Sequence, residues 1–227
     1  VRTTIGKGSS IAGSEKVHGA PLGKDELARV KASFCFSNEE HFVILSEVAK
    51  LYAEAAERGR KAESAWNEFF NGPFKSQNPE AYAEIDRRFF AKTLPENFVS
   101  LLPLYEPSET NQIATRKLSE NVLNSLAPHL PELVGGSADL TASNLTKWKG
   151  SEDFQSPSTG LGSYAGRYIR FGVREHGMFA MMNGLAAYGG FLPMGATFLN
   201  FITYGWGALR LAALSLSLIH ISQGIVR

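Results

Sequence analysis

The chain has 227 residues, 44% of them hydrophobic, and its 23 Lys and Arg against 22 Asp and Glu leave a formal charge of +1. That composition suffices for one large or two small domains with a buried core and excludes a disordered polymer, while the near-neutral charge excludes a whole-chain field that would draw nucleic acid or an anionic membrane. A single cysteine, Cys35, excludes an intrachain disulfide and a multi-cysteine metal site and fits a reducing compartment. Flanked by Phe34 and Phe36, Cys35 reads as a small buried hydrophobe.

The N-terminal stretch has neither an initiator methionine nor a basic-then-apolar signal pattern and reads as a start within a longer protein. A short strand is expected at Thr3-Thr4-Ile5, followed by a Gly/Ser loop and the irregular segment Val17 to Leu22. Asp25 can cap a helix from Glu26 to Ala32, its carboxylate accepting from free first-turn amides. Residues 46–70 are Ala-, Glu- and Leu-rich without proline, a second helical stretch runs over 79–92, and both read as amphipathic connectors. Their charges, among them Arg58, Arg60, Lys61, Arg87 and Arg88, are expected on a solvated face. Pro95, Pro103 and Pro107 mark a linker, with a domain boundary near Tyr105 to Glu109.

Beyond that linker strands alternate with helices. The order is helix 113–126, strand 133–135, a polar loop from Ser137 to Asn144, a Gly/Ser-rich loop 156–166, strand 168–173, a helix through Met178, Met181, Met182 and Leu185, strand 191–198 and helix 200–213. This pattern predicts a mostly parallel α/β sheet flanked by helices. The most apolar stretch, Leu209 to Ile221, is too short for a membrane span. No internal repeat is present.

Open α/β sheets bind ligands at the carboxyl ends of their strands, so three segments can converge on one rim: Ser137 to Asn144, Arg174 to His176 and Phe198 to Tyr204. Glu175 sits where a strand gives way to a helix; taken alone it is either an acid or a first-turn carboxylate favoured by the helix dipole. Phe198, Phe201 and Tyr204, three residues apart, suit core packing.

Five strings in this order, VHGAPL (17–22), ATRKLSE (114–120), GGSADLTASN (135–144), GVREHGM (172–178) and TFLNF (197–201), resemble transketolase from about Thr3 to Ser215. The resemblance implies a thiamine diphosphate-binding fold and an enzyme that moves a two-carbon ketol unit from a ketose phosphate to an aldose phosphate, a reaction of the pentose phosphate pathway. It assigns Glu175 to the aminopyrimidine ring nitrogen, where a carboxyl sheltered from water can keep a proton and donate it. By the same resemblance, Phe201, with Phe198 and Tyr204, receives the pyrimidine ring, and Asp139 lies near the thiazolium and the dimer contact. Arg116 and Ser143 hold the sugar phosphate, a guanidinium offering a planar fork to phosphate oxygens. His18 lies by the diphosphate and the reacting carbon and can shuttle a proton. Glu175 and His18 are then the catalytic pair, supplied by different subunits of a cytoplasmic homodimer.

The Gly-Asp-Gly motif that binds Mg2+ or Ca2+ in the family is absent from this chain, so no metal ligand is assigned. The resemblance divides the chain into 1–106, the end of the diphosphate-binding domain with a helical connector; 107–215, a truncated pyrimidine-binding domain; and 216–227, a divergent tail that leaves a sheet edge unpaired. A dihydroxyacetone synthase-like enzyme is the alternative within the same chemistry. A non-catalytic remnant that only associates with full-length subunits is the alternative outside it.

Overall fold

The computed structural model describes residues 1–106, 112–216 and 220–224, in two compact units, Val1–Phe69 and Phe70–Arg227. The expected boundary near residues 105–109 falls partly outside the described residues. In the first unit, a Gly-rich loop and the 3-10 turn Glu15–Val17 lead to helices α1 (Lys24–Ser33) and α2 (Ser46–Phe69). None of its residues, all of them described, is buried.

Three expectations for this unit are corrected. Residues 3–5 form a turn entry instead of a strand. The Asp25 carboxylate makes no cap, because α1 begins two residues earlier than expected, at Lys24 after Gly23, which puts Asp25 inside the helix; the nearest carboxylate bonding goes instead from Ser10 N and Oγ to Glu26. Cys35 is exposed: at φ 60° it ends α1 in a left-handed turn, which carries its side chain away from a core.

The second unit opens with a π-helical turn, Phe70–Phe74, then α3 (Lys75–Gln77), α4 (Pro79–Ile85) and a second π turn, Asp86–Ala91. Phe70 is buried against Phe74, Tyr82 and Phe90, with ring centroids 4.7–5.7 Å away. Arg87 and Arg88 leave the solvated face expected for them. Arg87 forks onto Glu132 at 2.8 and 3.1 Å, and Arg88 donates twice to Gly190 O at 2.9 and 2.6 Å. Burial alone raises the Glu132 carboxyl, but the Arg87 hydrogen bonds and charge outweigh it and hold that carboxyl below the usual range.

The sheet follows. Its strands are β1 (Leu133–Ser137), β2 (Asp153–Phe154), β3 (Gly162–Ser163), β4 (Tyr168–Arg170), β5 (Leu192–Phe198) and β6 (His220–Gly224), ordered β3-β2-β4-β1-β5-β6 with every pairing parallel. The mostly parallel α/β architecture read from the sequence is therefore the observed one. Residues 220–224, read as part of an unrelated tail, pair with β5 from Met194 to Phe198, so the edge expected to be bare beside β5 is occupied.

Helices cover both faces, as a parallel sheet requires. Helix α5 (Thr115–Leu126) packs Leu123 with Ala127, Leu130, Trp148, Tyr168 and Met194 on one face. On the other, α7 (Glu175–Tyr188) and α8 (Trp206–Leu214) pack Met178, Phe179, Met182 and Ala208 against Ala138 and Phe171; α6 is the short turn of helix Thr141–Asn144.

Central strand β1 lies between β4 and β5, and two of its five residues have no side chain. A Cβ on Gly135 would stand 1.8 Å from Met194 O, and one on Gly136 1.9 Å from Ile169 O. Both obstacles are neighbouring-strand backbone, which cannot swing aside. Gly136→Ala is therefore expected to destabilise the chain by at least about 3 kcal/mol, read as a lowered urea midpoint; an unchanged midpoint contradicts this account of the pairing.

Candidate functional site

All the strands run the same way, so their carboxyl ends lie on one rim. There β1 passes into the loop Ala138–Leu140 and α6, β4 turns into α7, and β5 turns into α8.

At the β4–α7 corner the chain reverses through Gly172 at φ 68°, a left-handed conformation in which a Cβ would also meet the Arg174 guanidinium at 2.6 Å. Arg174 Nη1 donates to Phe171 O at 3.0 Å and braces the turn. Helix α7 then starts at Glu175. The buried residues of that helix are Glu175, Met178, Phe179 and Met182, at the 3- and 4-residue spacing of one helix face. Glu175 is thus the polar head of an otherwise apolar stripe. It is 8% exposed and makes no hydrogen bond or ion pair among the described residues, while its backbone lies beside Gly205, where an added Cβ would stand 3.1 Å from Glu175 O.

Residues 199–205, expected to begin a helix at Asn200, form the 3-10 turn Leu199–Gly205, and α8 begins only at Trp206. The difference matters because three residues per turn bring i and i+3 into line. Phe198, Phe201 and Tyr204 make a continuous aromatic row, with centroids 5.8 Å apart for the first pair and 6.2 Å for the second, the first pair stacked at 28°. Phe198 and Phe201 are partly buried and Tyr204 is 70% exposed, so the row has an open end. The turn packs directly on α7.

On the opposite face of the sheet, α6 is held at three places. Ser137 Oγ donates to Ala196 O at 3.1 Å and accepts from Leu140 N at 3.2 Å and Asn144 Nδ2 at 3.1 Å. Tyr168 Oη lies 2.8 Å from both Thr141 Oγ1 and Thr146 Oγ1. Asp153 receives Lys147 Nζ at 2.8 Å and Arg170 Nε; burial raises its carboxyl, but those two cations outweigh burial and hold it below its usual range. Asp139, at φ 62°, and Leu145, at φ 54°, bracket α6 in left-handed conformations. Asp139 and Ser143 are exposed, and Arg116 is partly exposed in the first turn of α5.

The structure thus brings Phe198, Phe201 and Tyr204 together beside the helix headed by Glu175, and sets Asp139 and Ser143 on one pinned loop. His18 belongs to the first unit, exposed at the end of the Glu15–Val17 turn. Ser137, Thr141, Thr146 and Tyr168 carry no sequence signal as a group; strand alternation places Tyr168 on a sheet face, and only the fold shows what its hydroxyl meets. Among the described residues, no group of three or more His, Cys, Asp or Glu is arranged to hold a metal, and no helix is long and apolar enough to cross a membrane.

The domain is thus an open parallel α/β sheet, the class that binds ligands at its strand ends, with Glu175 and an open aromatic row at that rim. The transketolase thiamine diphosphate-binding domain model matches residues 1–95 and the transketolase pyrimidine-binding domain model residues 111–222. Transketolase from Scheffersomyces stipitis is 51% identical over 214 residues, and transketolase 1 from Saccharomyces cerevisiae 50% over 215; each match covers 94% of this chain and 31% of the relative. A crystal structure of Pichia stipitis transketolase in complex with sedoheptulose-7-phosphate superposes with a TM-score of 0.90 at 49% identity, over 98% of this chain and 33% of that one. The chain belongs to the transketolase family, and it spans about a third of the length of these relatives.

Ser137 is 1% exposed and serves three partners. Ser137→Ala strands Leu140 N and Asn144 Nδ2, while Ala196 O keeps its bond from Ala138 N, and is expected to cost about 1–3 kcal/mol in urea unfolding; a change under about 0.5 kcal/mol, the usual scatter of a surface substitution, contradicts the hub role.

Proposed function

We propose that this chain forms the pyrimidine-side part of a transketolase that uses thiamine diphosphate to move a two-carbon ketol unit between sugar phosphates. The observation that carries the proposal is Glu175: a residue only 8% exposed whose carboxyl has no protein partner among the described residues and faces the rim, heading a helix packed on the turn of aromatics. These residues fit an aminopyrimidine, which needs one directional partner at a ring nitrogen and a flat apolar wall. When bound, thiamine diphosphate supplies the carbanion chemistry that side chains lack.

The chain's own residues do the following. Glu175 would hold the ring nitrogen of the aminopyrimidine through a hydrogen bond at its carboxyl oxygen. Phe201 stacks on that ring, with Phe198 and Tyr204 extending the wall; each aromatic contact adds about 0.5–1.5 kcal/mol beyond burial. Met178, Phe179 and Met182, each 0% exposed, pack behind Glu175 and exclude water from its back. Asp139 offsets positive charge on the cofactor. Arg116 and Ser143 hold the substrate phosphate, and His18 donates to oxygen beside the diphosphate or shuttles a proton there.

Residues 1–106 serve as the end of the diphosphate-binding domain with its helical connector, 107–215 as the pyrimidine-binding domain, and 216–227 as a tail whose residues 220–224 extend the sheet beside β5. Two copies build each site, His18 from one and Glu175 from the other. The Mg2+ or Ca2+ ion on the diphosphate takes its ligands from parts of the enzyme beyond this stretch. The lone cysteine fits a cytoplasmic setting. The sugar phosphate bound in the Pichia stipitis complex is the substrate type this reading assigns.

The test is a chimera in which this chain replaces its counterpart in the Scheffersomyces stipitis transketolase. The chimera should transfer ketol units, and Glu175→Gln should lower kcat by roughly a hundredfold or more with an unchanged circular dichroism spectrum. A folded chimera without transfer, or unchanged turnover in Glu175→Gln, contradicts the proposal.

A further inference from the structure

We infer that Tyr168 is a positioning residue for the sugar-phosphate side of the site, its hydroxyl tying the two ends of the α6 segment together and thereby fixing Ser143. The inference rests on the proposed role of Ser143. Tyr168 is 0% exposed, in β4, one strand away from β5, and its ring is part of the core beneath α5. Its hydroxyl has one proton to give. It donates to Thr141 Oγ1, the first residue of α6, and accepts from Thr146 Oγ1, two residues past the end of that helix. Thr146 is itself 0% exposed. One oxygen thus closes a loop over residues 141–146, with Ser143 at its exposed crest.

The loop needs such a clasp. A four-residue helix is too short to hold itself by its own hydrogen bonds. The left-handed turns at Asp139 and Leu145 also persist only where surrounding contacts over-determine them, Leu145 most of all because leucine has no local side-chain bond to favour that conformation. Ser137 fixes the start of the loop through Leu140 N and its middle through Asn144. At the far end, Lys147 is drawn to Asp153, which also takes Arg170, and both cations lie over the Tyr168 ring, each 5.7 Å from its centroid. Ser137 thus bonds both sides of Ser143 over the narrower span 140–144, and Tyr168 adds the wider clasp from Thr141 to Thr146.

Tyr168→Phe removes the clasp and keeps the ring. In the 227-residue chain, hydrogen–deuterium exchange read by mass spectrometry should be roughly tenfold faster at amides 139–146, with β1 and α7 at the wild-type rate. In the chimera, KM for the ketose phosphate should rise roughly tenfold while kcat stays within about threefold, because the lost contact serves ground state and transition state alike. Unchanged exchange at 139–146, acceleration spread evenly over the sheet, or a fall in kcat at constant KM overturns the inference. The exchange result does not depend on Glu175: an indifferent Glu175→Gln chimera sinks the functional reading alone, and a responsive one beside an indifferent Tyr168→Phe sinks this inference alone.

Discussion

Everything at the rim depends on β1 lying close between β4 and β5, and that closeness depends on two residues without side chains. Gly135 and Gly136 bring the backbone of β1 against Met194 O and Ile169 O, where any Cβ would collide. The register that results aligns Ser137 with Arg170 on one side and Ala196 on the other. Strands β1 and β4 thus end at one level, β5 runs two residues further to Phe198, and the loops that leave them start from the same edge of the sheet. The opposite edge is fixed by arginines: Arg87 on Glu132 before β1, Arg88 on Gly190 before β5, and Arg167 on the carbonyls of Ala127 and Leu130.

From that edge the two faces diverge in chemistry. The α7 side is apolar, and its stripe of Met178, Phe179 and Met182 ends in a carboxyl where an apolar residue would otherwise stand. Burying a carboxyl without a partner costs free energy, a cost a fold carries at sites of function more often than elsewhere. The α6 side is polar and pinned by hydroxyls and charges, leaving Asp139 and Ser143 free. One face suits a flat ring that needs a dry wall, the other a hydrated, charged group, and the two meet at the same rim.

Much of this was legible in the residues. The alternation of β-rich and helical runs fixed the parallel α/β class, and the change of period between Val173 and Met178 located the corner that carries Glu175. Other features were hidden because they depend on distant partners. Arg87 and Arg88 look like surface charge until Glu132 and Gly190, 45 and 102 residues away, arrive to accept their hydrogen bonds. Cys35 looked apolar from its phenylalanine neighbours, yet Phe34 and Phe36 are 48% and 39% exposed, so its neighbours were no guide to burial. The spacing of Phe198, Phe201 and Tyr204 was visible, whereas the 3-10 geometry that lines them up was not, since i+3 spacing serves an α-helix equally well. The pairing of residues 220–224 with β5 is set by an open strand edge, which local sequence does not encode.

The central claim is that the Glu175 carboxyl and the Phe201 ring close on the same heterocycle. A crystal structure of the chimera with thiamine diphosphate tests it most directly. The account requires a carboxyl oxygen of Glu175 about 2.6–3.2 Å from an aminopyrimidine ring nitrogen, with Phe201 stacked on the ring. A Glu175 side chain turned to bulk water, with the pyrimidine seated away from Phe201, would contradict it.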